Sequence, residues 1–197
     1  MDEQVSGILM DSNTIHDVMD QGFYMHCGSD NVATNNVVAF AGLGTHSTSD
    51  ALLPGMCNRG GNPTWPNMGG ADGFNFTRNI VLLSAEPLLV RSPSSAEKDD
   101  RNTHWASNTY WSDNASTVTA LQTSAVWPNG TTLAEVSASK YVAPSNPPLI
   151  ADPMFKDPHN RDFSLQPSSP AVSRNGFVSF ELSAGCKGNP FVSDDHC

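Results

Sequence analysis

Four short segments of this chain repeat one pattern, a polar pair that usually contains Asn followed by residues apolar enough to be buried. They are Asn13-Thr14-Ile15-His16-Asp17-Val18, Asn35-Asn36-Val37-Val38-Ala39-Phe40, Arg78-Asn79-Ile80-Val81-Leu82-Leu83 and Asn108-Thr109-Tyr110-Trp111-Ser112-Asp113, with starts 22, 43 and 30 residues apart. A second set shares Gly, an apolar residue, a variable one and another apolar one: Gly7-Ile8-Leu9-Met10, Gly22-Phe23-Tyr24-Met25 and Gly73-Phe74-Asn75-Phe76. Ile8 and Met10, Phe23 and Met25, and Phe74 and Phe76 then share one face of a strand, a period of two rather than 3.6. Self-similarity at this spacing is the signature of stacked repeats. Asn suits the bends between such strands, because it tolerates left-handed backbone and its amide can bond along a stack of like amides.

The expected fold is therefore all-β, a parallel β-helix (solenoid) of about four coils. Residues 1–148 would form the coils, with inserted loops at about 43–70 and 91–102, and residues 149–197 the closing segment and tail. Equivalent residues Ile15, Val37, Ile80 and Tyr110 would form one inward row. The 43–70 insertion, rich in Gly and Pro, is expected to have little regular structure. Only Thr132 to Lys140 has a helical signature, with Thr132 and Glu135 placed for a capping box. A leucine-rich or other helical solenoid is disfavoured by the prolines and the absence of a long 3.6 period.

Composition narrows the function classes. Only 15% of residues are charged, which suits short strands and many turns. The net charge of −10 and the lack of a Lys/Arg cluster exclude a phosphate-neutralising face, so nucleic acid is not an expected partner. No run of eighteen apolar residues is present, so no membrane span is expected. Met1-Asp2-Glu3-Gln4 has neither the basic nor the apolar region of a signal peptide. Cys27, Cys57, Cys186 and Cys197 allow three disulfide connectivities, and an even count mildly favours an oxidising compartment.

The last third adds a resemblance. Asp152-Pro153-Met154-Phe155-Lys156-Asp157-Pro158, Asp162-Phe163-Ser164-Leu165 and Ser169-Pro170-Ala171 resemble the closing segment of right-handed parallel β-helix proteins of the pectate-lyase-like superfamily, close to D-P-L-F-x-D-P, D-F-x-L and S-P-A. The stretch from Gly22 to Val38 resembles their repeating coils. The resemblance implies a carbohydrate-active protein, a polysaccharide hydrolase or lyase or a fragment of one, secreted or at the cell surface, with a glycan as partner and calcium as a cofactor left open. The alternative class is a non-catalytic carbohydrate-binding or adhesive module, and a third is a truncated product without a function of its own. As a closing segment, Phe155, Phe163 and Leu165 would cover the open end of the stack while Pro153, Pro158, Pro167 and Pro170 stop further pairing.

Substrate in the resembling enzymes lies along an outer groove. The corresponding residues here crowd one region: Asp17, Asp20 and His26 as acid and base, and His16, Tyr24, Asp30 and Asp72 as substrate contacts, with no metal ligands assigned. Paired carboxylates suit glycoside chemistry because one protonates the leaving oxygen while the other acts as nucleophile or base. The plainer reading is that Asp17 and Asp20 form turns and that His16 and His26 are solvated. Asp157-Pro158-His159-Asn160 differs from the D-P-H-D signature of alginate epimerases in its last residue and belongs to the closing segment, so it is not assigned a catalytic role.

Overall fold

The structure, a computed structural model, describes residues 5–18, 22–26, 30–41, 52–55, 75–83, 104–123 and 147–181, with side chains of 24–26, 52–55 and 104–105 excepted. Elements are numbered in chain order. One parallel sheet contains β1 (Leu9–Asp11), β4 (Val32–Thr34), β7 (Asn75–Thr77) and β9 (His104–Ala106), in that order. A second contains β2 (Thr14–His16), β5 (Val37–Ala39), β8 (Ile80–Leu83), β10 (Thr109–Ser112) and β11 (Leu149–Ile150), again in chain order across the sheet. β3 (Phe23–His26) pairs in parallel with β6 (Leu52–Gly55). The antiparallel pair is β12 (Phe155–Asp157) and β13 (Asp162–Leu165), joined by the 3-10 turn Pro158–Asn160. The α-helices are α1 (Ala115–Thr123) and α2 (Pro170–Asn175).

The bends between the first and second sheets explain the polar pairs. Ser12, Asn35, Arg78 and Ser107 all have φ between 56° and 58°, the left-handed conformation that turns the chain from one sheet into the other. The residue after each bend is Asn13, Asn36, Asn79 or Asn108, and these four amides stack. The backbone N–H of Asn13 donates to Asn36 Oδ1 at 2.9 Å, that of Asn36 to Asn79 Oδ1 at 2.9 Å, and that of Asn79 to Asn108 Oδ1 at 2.9 Å. Their Nδ2 groups donate to carbonyls of the first sheet, Asn36 to Met10, Asn79 to Ala33 and Asn108 to Phe76. The ladder thus ties the two sheets together through polar groups that would otherwise be buried without partners.

The register differs by one residue from the expected row. Ile15, Val38, Val81 and Tyr110 are neighbours, and Thr14, Val37, Ile80 and Thr109 form the adjacent row. Successive strand residues face opposite sides, so Ile15 and Tyr110 lie on one face while Val37 and Ile80 lie on the other. Both faces are buried, as is usual for parallel sheets. Val38, Val81 and Tyr110 are 1% exposed or less on one side. On the other, Val37, Ala39, Ile80 and Leu82 pack with Phe155, Phe163, Ala171 and Phe177.

The expectation of an all-β right-handed parallel β-helix is corrected. Helices α1 and α2 interleave with the strands, which divide into open sheets of four, five, two and two. The class is a mixture of helix with parallel sheets, and the described residues form no closed or solenoid sheet. The physical reason lies partly in α1, whose Ser and Thr content resembles strand or turn in the sequence. Asn114 caps it, its Oδ1 accepting the Ser116 N–H at 2.9 Å, and Leu121 is fully buried. Within residues 43–70, expected to have little regular structure, the described residues form one strand, β6. Phe155 and Phe163 pack with the Val37 face of the five-stranded sheet, and Leu165 packs against the same cluster. Thr132 to Lys140, the 91–102 segment and all four cysteines lie outside the described residues.

Candidate functional site

The site begins where β2 ends. Asp17 follows His16 in a left-handed bend with φ 54°, and its N–H donates to Ala39 C=O at 3.1 Å, which fixes the bend against β5. The bend leaves its carboxylate beside the preceding imidazole, with His16 Nδ1 and Asp17 Oδ2 2.7 Å apart. Arg161 reaches the same oxygen from 144 residues away, donating through Nε at 3.0 Å.

Arg161 is placed by the turn between β12 and β13. Pro158 starts the 3-10 turn, and Arg161 closes it with φ 64° and its N–H bonded to Pro158 C=O. One guanidinium nitrogen, Nη1, also donates to the His159 carbonyl at 2.9 Å, so the side chain is held at both Nε and Nη1. His159 in turn sits 2.8 Å from Asp113 through Nε2 and Oδ2.

Aromatic rings connect the two His–Asp pairs. His16 lies 5.3 Å from Phe163, Phe163 6.4 Å from Phe40, and Phe40 stacks on His159 at 5.3 Å. The face remains open to solvent: the His16 and Asp17 side chains are 37% and 31% exposed, and Arg161 is 56% exposed. Beside it lies a groove of about 830 Å³, with Phe163, Leu165, Phe177 and Phe180 among its apolar walls and Lys156 and Arg161 on its rim.

The electrostatics bear on Asp17. The hydrogen bond from His16 holds the Asp17 carboxyl below the usual carboxylate range, and Arg161 adds to the effect through its charge. Asp17 is thereby committed as an anion and is poorly suited to donate a proton. With Nδ1 occupied by Asp17, His16 has Nε2 as its second ring nitrogen for accepting or delivering a proton. Asp17 orients the ring, as carboxylates commonly do for functional imidazoles. Among the described residues no group of three or more His, Cys, Asp or Glu side chains could hold a metal ion.

Of the residues expected to form the site, the structure brings His16 and Asp17 into direct contact. Asp30 is exposed in a left-handed bend ahead of β4, in the four-stranded sheet, and is not part of this cluster. Tyr24 and His26 belong to β3, opposite Leu53 and Gly55, and their side chains lie outside the description. Asp20 and Asp72 also lie outside the described residues, so the spacing of the expected carboxylate pair is not defined. Sequence reasoning missed Arg161, Phe40, His159 and Asp113. The Asp157-Pro158-His159-Asn160 phrase was their nearest signal, since its turn delivers both His159 and Arg161.

No family model, curated protein or solved structure matches the chain.

Proposed function

We propose that this chain is a carbohydrate-active protein, secreted or at the cell surface, that engages a glycan across the His16–Asp17–Arg161 face and the adjoining groove. The observation that carries the reading is the sharing of Asp17 between His16 and Arg161 on an exposed face, with the partly exposed Phe40 ring and the exposed His159 ring beside it. Such a surface combines apolar faces for sugar rings with fixed donors and acceptors for hydroxyl groups. The resemblance of the closing segment to polysaccharide-acting proteins supports the same substrate class. In the enzymatic form, His16 is the acid/base, Asp17 its orienting carboxylate and Arg161 the positive group that fixes both.

A non-catalytic glycan-binding module is the second reading, favoured by the commitment of Asp17 to two partners. Glycan-array binding followed by product analysis separates the two. New reducing ends identify hydrolysis and unsaturated products a lyase, whereas retention without products identifies a binder. His16→Gln abolishes turnover with binding retained if His16 transfers a proton. Absence of glycan binding by the folded protein rejects both readings.

A further inference from the structure

The sequence holds three Asn-X-Ser/Thr sequons, Asn75-Phe76-Thr77, Asn114-Ala115-Ser116 and Asn129-Gly130-Thr131, while proline disqualifies Asn62-Pro63-Thr64. Such tripeptides arise readily in a chain rich in Asn, Ser and Thr, so their folded surroundings decide between them. Asn129 lies outside the described residues. Asn75 belongs to β7, which is hydrogen-bonded between β4 and β9 in the interior of the four-stranded sheet. It is half-buried, and its N–H is bonded to the Asn31 carbonyl. Phe76 is fully buried, and the Thr77 hydroxyl meets that of Thr34 at 3.4 Å. A bulky oligosaccharide on Asn75 would have to rise from the middle of a paired strand.

Asn114 has the opposite setting. It stands between β10 and α1, and Asn114, Ala115 and Ser116 are all exposed. Its N–H donates to Ser112 Oγ at 3.2 Å and its Oδ1 accepts the Ser116 N–H at 2.9 Å, a turn that draws the hydroxyl residue of the sequon back toward the amide. Its Nδ2 has no partner among the described residues. The buried amides of Asn36, Asn79 and Asn108 differ on this point, because each commits Nδ2 to a carbonyl of the first sheet.

We propose, resting on the secreted location proposed for this chain, that Asn114 is a site of N-linked glycosylation. In the transfer, Nδ2 attacks the anomeric carbon of an oligosaccharide carried on a lipid pyrophosphate. The bond from Nδ2 to that carbon forms, the carbon–oxygen bond to the pyrophosphate breaks with its electron pair leaving on the phosphate oxygen, and Nδ2 gives up one proton. The product is still an amide, so Oδ1 keeps its acceptor lone pairs and the cap on α1 persists after modification. Attachment therefore uses only the atom that the fold leaves open. The sugar projects from the exposed start of α1, one residue from the Asp113 carboxylate that meets His159.

The test is made on the full chain purified from its natural source and treated with peptide N-glycosidase in heavy-oxygen water, which converts each glycosylated Asn to a labelled Asp. Peptide mapping should find label at Asn114 and none at Asn75. Two variants secreted from a glycosylating host check the assignment without loss of fold. Asn114→Asp keeps the capping oxygen, and Ser116→Ala keeps both Asn114 and the backbone N–H that it accepts. Each loses the label at position 114 and the matching oligosaccharide mass with an unchanged circular-dichroism spectrum, whereas Ser116→Thr retains both. An unlabelled Asn114 in chain recovered from outside the cell, or label at Asn75 in its place, overturns the proposal alone. Recovery of the chain only from the cytosol removes the secreted location and the proposal with it. Glycan binding by protein made in a host without N-glycosylation tests the His16–Asp17–Arg161 face separately, and its failure leaves a labelled Asn114 standing.

Discussion

The asparagine ladder makes single side chains decisive. Asn79 is 1% exposed, accepts from Asn36 through Oδ1, and donates to Ala33 C=O and Asn108 Oδ1 through Nδ2. Asn79→Ala leaves several of these groups buried and unsatisfied, at about 1–3 kcal/mol each, so a loss of about 3 kcal/mol or more is expected in urea denaturation. Tyr110 provides a different probe. Burial pushes its hydroxyl well above the usual 10.0. Its raised value means that stability is fully present below the unfolded-state value and falls as pH rises beyond it. Alkaline titration at the tyrosinate absorbance should therefore leave Tyr110 silent until the chain unfolds. Asp17 has the opposite sign: its lowered value gives a contribution present above the ordinary 3.8 and lost as pH falls through the folded value. Carboxyl carbon NMR should show Asp17 titrating below 3.8, and His16→Gln should move it back toward that value.

The β12–β13 hairpin links packing to the site. Phe163, 6% exposed, packs against His16, Phe40 and Phe155, while Arg161 stands two residues before it. Phe163→Ala should cost about 3–5 kcal/mol and raise hydrogen exchange across β12 and β13 before the sheet interior is affected. Asn35 secures the following segment: it accepts the Val178 N–H at 2.6 Å and donates to the Val178 carbonyl at 2.8 Å. This residue also explains how far the sequence could be read. The repeated segments were legible as parallel strands because Asn-led bends recur, but aligning Asn35 with Asn13 displaced the register by one. Asn35 is the left-handed bend residue and Asn36 the ladder residue, a distinction made by tertiary partners instead of residue type. Helix α1 was hidden by its Ser and Thr, with Asn114 the available capping signal. His16 and Asp17 were readable as neighbours at a strand end, whereas Arg161 becomes their partner only once the hairpin folds back over β2.

Across the molecule, the same arrangement that buries both faces of the five-stranded sheet also brings the C-terminal hairpin over the end of β2. No helix among the described residues is long and apolar enough to cross a membrane, and the net charge is −10. The proposed glycan face depends on this long-range juxtaposition: His16 and Asp17 come from β2 and its bend, Phe40 from the bend after β5, and Arg161 and Phe163 from the hairpin. Removing the guanidinium by Arg161→Gln should weaken glycan binding about tenfold or more if its charge-assisted bonds are retained on the ligand, with little change in melting temperature because its ion pair is exposed. The most direct measurement is a titration of isotope-labelled protein with the glycan best retained on an array, followed by backbone and side-chain NMR. Saturable shifts concentrated at His16, Asp17, Phe40, Arg161 and Phe163 are expected; no shifts, or shifts confined to residues away from this face, would contradict the proposed site.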